Sequence, residues 1–383
     1  MKIVVQVKLQ PTPEQESALD ATLRAANQAA NEVSQRAFKT GKRNRKALQG
    51  LAYGWLKSEG FSAQPALHII RKVADSYTIL KANIDAGNLG RKGAKRRVRA
   101  ESKPTAFRAV SAQPFDDRCL SWNYNARTVS IWTTAGRMKN VRFGCASNDL
   151  KTLMQHRKGE SDLMFRDGKW FLIATCEVPE EPQFEPVDWI GVDRGINNLA
   201  TTSDSVNYSG RRLGRYRRWQ ARKRAEIQAK RTRSAARLLK KRAKREARHA
   251  GHMNHTIAKD VVAVAQRTER GIALEELGGI RERVTVRRDQ RATQSSWPFH
   301  QLGSFIAYKA QRAGVPVIEV DAAYTSQHCP LCGHTERANR PTRDDFRCRR
   351  CGLAGPADVV AGINVRDRAR SAWVFVNMPQ PTS

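Results

Sequence analysis

The sequence predicts a multidomain α+β protein: a β-barrel interrupted by a helical block, then a mixed α/β domain carrying a four-cysteine metal-binding ribbon. Three observations predict it. The apolar period is two at the N-terminus, becomes helical after Pro11, and returns to two from about Pro114. Beyond the Pro- and Glu-rich stretch VPEEPQFEPVD, short strands and helices alternate. Near the C-terminus, two Cys-x-x-Cys pairs stand fifteen residues apart.

In MKIVVQVKL, Ile3, Val5, Val7 and Leu9 alternate with Lys2, Val4, Gln6 and Lys8, the pattern of a half-buried strand. Thr12 is placed to cap a helix, with Pro13 at its first position and Gln15 closing a capping box. Leu19, Leu23, Ala26, Ala30 and Val33 form its apolar stripe. Further helices are expected over Asn44–Leu56 and Pro65–Ile84, followed by a basic loop, GNLGRKGAKRRVRAESKP. Cys119–Trp122, Val129–Trp132, Val141–Phe143 and Lys169–Ala174 read as strands of a small barrel or sandwich. The first strand finds no partner among the helices, so it is expected to pair in this sheet, making the helical block an insertion.

In the second half, Trp189–Asp193, Asn198–Thr202 and Ser205–Tyr208 read as three short antiparallel strands. A helical stretch over Arg211–Ala250 carries 18 Lys+Arg against Glu226 and Glu246. A helix over Asn254–Thr268, a strand over Gly271–Leu277, a helix over Phe299–Ala313 and a strand over Val315–Val320 follow. The order βββ-α-β-α-β-ribbon-α is that of a ribonuclease H-type domain.

The 383 residues carry 69 Lys+Arg against 36 Asp+Glu, a net charge of +33. A folded surface this basic repels itself unless it meets a polyanion, so nucleic acid is the expected partner, bound in a salt-dependent way. No apolar run reaches the ~18 residues a membrane span requires, and MKIVVQVKLQ lacks a signal-peptide pattern. The expected compartment is a reducing cytoplasm, where Cys119, Cys145 and Cys176 serve as buried small apolar residues.

Cys329, Cys332, Cys348 and Cys351 form two knuckles, with Gly333 and Gly352 supplying the tight turn after each. Four thiolates close a tetrahedral site, so one structural Zn²⁺ is expected, with His328 and His334 left out. Arg337, Arg340, Arg343, Arg347, Arg349 and Arg350 are candidates to touch nucleic acid.

Carboxylates stand in three further places. Asp193 ends an apolar strand between Gly191 and Gly195, whose lack of side chains lets another backbone or a phosphate approach. Glu275 and Glu276 occupy an otherwise apolar strand, a costly position without a cation. Asp358 opens a helix after Gly355 and Pro356. Each has an ordinary alternative: a turn, a solvent-facing edge, a helix cap. Together they make a three-acid set able to hold two Mg²⁺ ions for in-line phosphodiester hydrolysis, with Asp193 bridging. Alternation puts Glu275 on the face of Ala273 and Glu276 on that of Leu274, and leaves open which looks at the site.

GVDRGINNLATT, IALEEL, YKAQRAGVPVIEVDAAYTSQHCPLCGH and CRRCGLAGPADVVAGINV resemble the TnpB family, RNA-guided nucleases of bacterial insertion sequences related to CRISPR type V effectors. The resemblance spans nearly the whole chain. It implies Asp193, Glu275 and Asp358 as catalytic acids of a RuvC-like nuclease; Glu275 is favoured over Glu276 because the family's acid comes first in its triplet. It implies a wedge β-barrel over 1–10 and 110–182, a helical recognition lobe over 11–109, a nuclease domain over 186–324 and 356–383, and a zinc-ribbon insert over 325–355. It also implies a monomeric endodeoxyribonuclease with a guide RNA from the transposon end. Such an enzyme cleaves both strands of duplex DNA beside a short adjacent motif, in the cytoplasm and at the nucleoid when bound to DNA. Delegating sequence to base pairing leaves basic segments such as 87–99 and 211–250 to position phosphates. One departure stands out: the family commonly shows Asp-x-Asn-Ala-Ala where this chain has Asp358-Val-Val-Ala-Gly362, so Val360 replaces an amide able to orient a carboxylate, while Asn364 matches. The rival expectations are a miniature CRISPR type V effector and a nuclease-inactive RNA-guided DNA-binding repressor. The repressor is distinguished by loss of the acids, which are present here.

Overall fold

The computed structural model describes residues 1–278 and 299–377, the side chains of 299 and 374–377 excepted. The parts of the expected nuclease domain at 279–298 and 378–383 lie outside the described residues. Two compact units follow one another, Met1–Val178 and Pro179–Ser383.

In the first unit β1 (Lys2–Gln10) buries Val5, Val7 and Leu9. Four helices follow: α1 (Pro13–Thr40), α2 (Arg45–Ser58), α3 (Ala63–Asp85) and α4 (Lys95–Glu101). The Thr12–Gln15 capping box is present, the Gln15 N–H donating to Thr12 Oγ1 at 3.3 Å and the Thr12 N–H to Gln15 Oε1 at 3.1 Å. Then come β2 (Gln113–Phe115), β3 (Leu120–Asn123), β4 (Thr128–Thr133), β5 (Gly136–Gly144), α5 (Ser147–His156), β6 (Arg157–Arg166) and β7 (Lys169–Glu177). All seven strands join one antiparallel sheet in the order β2-β6-β7-β1-β5-β4-β3. As expected, β1 finds its partners late in the chain, in β5 and β7.

The two edge strands, β2 and β3, are separated only by Asp116–Cys119, so the sheet must curl until its edges nearly meet around one core. Three expectations need correction. The basic loop contains α4, about two turns with no buried residue. α5 and β6 went unrecognised, because β6 reads RKGESDLMFR and buries only Ser161 and Leu163, so no clean period shows. Cys145 is half-buried, whereas Cys119 and Cys176 are buried as expected.

The second unit is built on β8 (Asp188–Asp193), β9 (Asn198–Thr202), β10 (Asn207–Ser209), β11 (Arg270–Glu276) and β12 (Val317–Asp321), in the order β10-β9-β8-β11-β12. The first three run antiparallel; β11 is parallel to β8 and β12 to β11. Between β10 and β11 lie α6 (Arg211–Ala229) and α7 (Arg233–Arg267). The sequence led us to expect a break near Ala250. The break falls instead at 230–232, where Arg231 is left-handed and the Thr232 hydroxyl caps α7 by accepting from the Ala235 N–H. α8 (Phe299–Arg312) precedes β12, and α9 (Ala357–Asn377) closes the described chain.

The two faces of this sheet carry different cores. Ile190, Val192, Ile272 and Leu274 pack with residues of α7 and α8. Trp189, Ala273 and Val320 pack with Val365 and Ala369 of α9. α9 comes so close that a Cβ on Gly191 would lie 2.0 Å from the Gly362 carbonyl and 2.5 Å from the Arg366 nitrogen. Backbone cannot yield as a side chain can, so Gly191→Ala is expected to cost about 3 kcal/mol or more, read as a shift in denaturant midpoint. An unshifted midpoint would refute this packing.

Candidate active site and metal centres

The face that receives α9 also carries the acids. Along β8, Trp189, Gly191 and Asp193 share one side, and Trp189 and Gly191 both meet α9. Along β11, Ala273 shares that side, so Glu275 does too. The parallel register pairs Ala273 with Gly191 and Leu274 with Val192, and its continuation sets Glu275 beside Asp193. Burial separates the two glutamates: Glu275 is 5% exposed and Glu276 is exposed. Asp358 lies in the first turn of α9.

Each acid is held by a neighbour. The Thr325 hydroxyl donates to Glu275 Oε1 at 2.6 Å. Asn198 Nδ2 donates to Asp358 Oδ2 at 2.8 Å and Arg340 Nη2 to Oδ1 at 3.3 Å, so both oxygens are oriented. Burial, the charges of Glu275 and Asp358, and a hydrogen bond shared with Glu275 hold the Asp193 carboxyl well above the ordinary carboxylate range. Burial also raises Glu275, while Thr325 and the Arg194 guanidinium draw it back down. Among the described residues, two groups bring their ligand atoms all within 4.8 Å of one another: the four ribbon cysteines, and His68 with Asp116 and Cys119. The three acids are not one of these groups; they are linked through Asp193, which feels both Glu275 and Asp358.

Two raised carboxyls carry a sign. Folding takes up protons there, so their stabilising contribution is present below the ordinary carboxylate range and lost as pH rises toward their folded values. With the ribbon cation in place and Mg²⁺ omitted, the melting temperature is expected to fall as pH rises above the ordinary carboxylate range, and added Mg²⁺ to raise it more at the higher of two pH values. Asp193→Asn should flatten both responses; an equal Mg²⁺ effect at the two pH values would contradict the assignment.

In the ribbon, Cys329 Sγ lies 3.6 Å from Cys351 Sγ and Cys332 Sγ 3.5 Å from Cys348 Sγ. Gly333 and Gly352 adopt positive φ, 71° and 79°, as the knuckle turns require. Burial pushes the Cys348 thiol up, but backbone N–H groups of Cys351 and Arg350 outweigh it and bring it down to about 6. His328 pairs with Thr335 and His334 with Glu336, so neither competes for the centre. The donor set fits a soft or borderline cation. The ribbon's apolar cluster comprises Cys329, Phe346, Cys348, Ala357 and Val360. Val360 therefore packs the ribbon against α9, and the amide it withholds from Asp358 comes from Asn198. Asn364 donates to the carbonyls of Thr325 and His328 at 2.7 and 2.8 Å, fastening the ribbon's stem to α9.

Sequence reasoning named the acids but not Asn198, Thr325 or the bond from Arg340 to Asp358. Asn198 and Thr325 sit inside the diagnostic segments GVDRGINNLATT and AAYTSQHC, the one signal that could have found them. Beside Asp358 runs a groove of about 1380 Å³, lined by Arg211, Arg215, Arg218 and Arg224 of α6 and by Arg343. The α6–α7 pair that builds its wall is held by Arg242 over the Trp219 ring at 4.7 Å and by Arg224 bonded to Glu246 at 2.8 Å. Among the described residues, no helix is long and apolar enough to cross a membrane.

Comparison with known proteins converges on these segments. Residues 174–277, which hold Asp193 and Glu275, match the OrfB_IS605 family, described as "Probable transposase". Residues 299–365, which hold the ribbon and Asp358, match the "Cas12f1-like, TNB domain". The chain is 27% identical over 203 residues to the CRISPR-associated endodeoxyribonuclease Cas12f1 of Syntrophomonas palmitatica, covering 48% of this chain and 40% of that one. It is 32% identical over 139 residues to the TnpB-like protein MJ0751 of Methanocaldococcus jannaschii, covering 36% and 49%. These alignments span half or less of the curated relatives' lengths. The fold is similar to that of the mini-RNA-guided endonuclease CRISPR-Cas_phi3, with a TM-score of 0.57 at 12% identity over 100% of this chain and 94% of that one. Over these segments the chain is similar to the TnpB-like protein and the Cas12f1 endodeoxyribonuclease.

Proposed function

We propose that the protein is an RNA-guided, RuvC-type DNA endonuclease of a transposon, cleaving duplex DNA beside a short adjacent motif. The observation that carries this is the meeting of Asp193, Glu275 and Asp358, from three distant segments, on the face of the sheet covered by α9. The strand order of the second unit is that of a ribonuclease H-type domain. In this reading a wedge barrel, 1–10 and 110–182, carries an inserted recognition lobe, 11–109. The nuclease domain is 186–324 with 356–383, interrupted by a zinc ribbon over 325–355.

Asp193 would bridge two Mg²⁺ ions, with Glu275 and Asp358 each completing one. Such ions, when bound, would supply positive charge against the charge developing on the attacking and leaving oxygens of an in-line displacement. The chain's own work is positioning. Thr325 holds Glu275, Asn198 and Arg340 hold Asp358, and the arginines of α6 line a path for a phosphate backbone. Zn²⁺ in the ribbon is structural, because four thiolates leave no open position.

A miniature CRISPR type V effector is the second reading, favoured by the similarity to Cas12f1. The test is to purify the protein with co-expressed RNA, sequence that RNA, and challenge a library of plasmids randomised beside the target. The proposal predicts one transposon-end RNA and Mg²⁺-dependent cuts next to a defined motif. A repeat-derived RNA selects the second reading, and binding without cleavage overturns the nuclease.

A further inference from the structure

A second cluster of ligand-type side chains lies in the first unit, where neither the nuclease proposal nor the family matches assign a role. His68 of α3, Asp116 and Cys119 bring their ligand atoms all within 4.8 Å of one another. His68 Nε2 stands 3.6 Å from Asp116 Oδ2 and 3.8 Å from Glu160 Oε1, and its Nδ1 is buried without a hydrogen-bond partner. His68 is 3% and Cys119 4% exposed.

Local structure builds this cluster. Asp116 and Cys119 end the turn that joins the two edges of the sheet, closed by the Cys119 N–H donating to the Asp116 carbonyl at 3.0 Å. Glu160 falls in the irregular stretch of β6 beside Gly159, which has φ 77°. A bulge of this kind re-aims a side chain. α3 lies over β2 and presents His68 to all three.

The spacing is informative. A buried imidazole would normally sit within hydrogen-bond distance of a carboxylate, about 2.7–3.2 Å. These separations are longer, and they match a different geometry. A tetrahedral cation with bonds of roughly 2.0–2.3 Å sets its ligand atoms roughly 3.3–3.8 Å apart. The ribbon sulfurs, 3.5 and 3.6 Å apart, show the same spacing. Nitrogen, sulfur and oxygen donors together suit a borderline cation.

We propose that His68, Asp116 and Cys119, with Glu160 as the fourth side, form a second site for a zinc-class divalent cation that pins α3 across the seam of the sheet. Burial lowers the His68 pKa below its usual value, leaving the imidazole in the neutral form that metals take. Burial and Asp116 push the Cys119 thiol up to about 11, so an arriving cation must displace its proton to solvent. Arg71 is bonded to Glu160 and shares that carboxylate with the site.

The test is a zinc count by mass spectrometry on full-length protein, loaded with Zn²⁺ and dialysed against excess Mg²⁺, so that Mg²⁺ fills the all-oxygen site. Two zinc ions per chain are expected for the wild type, falling to one in Cys119→Ser and in His68→Gln. Cys332→Ser should keep the seam ion. A single zinc in the wild type, or two retained in Cys119→Ser, overturns the proposal. The wild-type count decides even where a variant fails to fold.

Discussion

Replacing Asp193 by alanine is expected to abolish guide-dependent DNA cleavage, a loss of at least about 10³-fold or about 4 kcal/mol of transition-state stabilisation, while RNA binding survives. The size follows from position. Asp193 is the acid that meets both others, sharing a hydrogen bond with Glu275 and feeling the charge of Asp358. Removing it takes away the oxygens that two cations would share, whereas removing either partner leaves one cation partly held. The residue ends a strand on the sheet's inner face, so alanine leaves the backbone pairing with Thr201 of β9 intact. In the proposed reading RNA would be held by basic surface elsewhere, so its binding should not follow. Cleavage rates and RNA affinity measured on the same preparation make the check, and undiminished cutting would remove the acid assignment.

Withdrawing the ribbon metal is the second large effect. The ribbon's own apolar cluster is small, with Phe346 its largest member, and its two-stranded sheet of β13 (Asp345–Arg347) and β14 (Ala354–Pro356) has three residues a side. So little buried surface cannot hold a fold alone, and metal binding supplies on the order of 10 kcal/mol in such modules. Chelation, or Cys348→Ser, is expected to make 325–355 protease-sensitive. The loss should also reach the acids. Asn364 ties the ribbon stem to α9, and Arg340 of the ribbon orients Asp358. Cleavage is therefore expected to fall about 10- to 100-fold or more, the usual scale for losing groups that orient a metal ligand. A ribbon that stays protease-resistant with its metal removed would contradict this.

Much of this architecture was legible because its signals are periodic or spaced. The Thr12 cap, the alternation in β1 and the Cys-x-x-Cys pairs each encode their structure within a few residues. The glycine beside Asp193 was rightly read as a place of close approach: Gly191 meets the backbone of α9. What escaped depends on distant partners. β6 buries two residues because the sheet curls around it, not because its own sequence alternates. The preference for Glu275 over Glu276 came from the family resemblance and not from alternation, because no local pattern states which face α9 covers. Val360 looked like the loss of an orienting amide, yet it fills the ribbon's core while Asn198, from a different strand, supplies the amide to Asp358. Arg340 was grouped with arginines for nucleic acid, and no local pattern foretold that its guanidinium donates to the Arg343 carbonyl and to Asp358 Oδ1.

The most direct test is to locate manganese, standing in for magnesium, by anomalous scattering from crystals of the protein with its guide RNA and target DNA. The account predicts manganese ligated by Asp193 and completed by Glu275 and Asp358, beside the groove lined by the arginines of α6. Manganese bound elsewhere in a cleavage-competent complex, with these three carboxylates apart and metal-free, would contradict it.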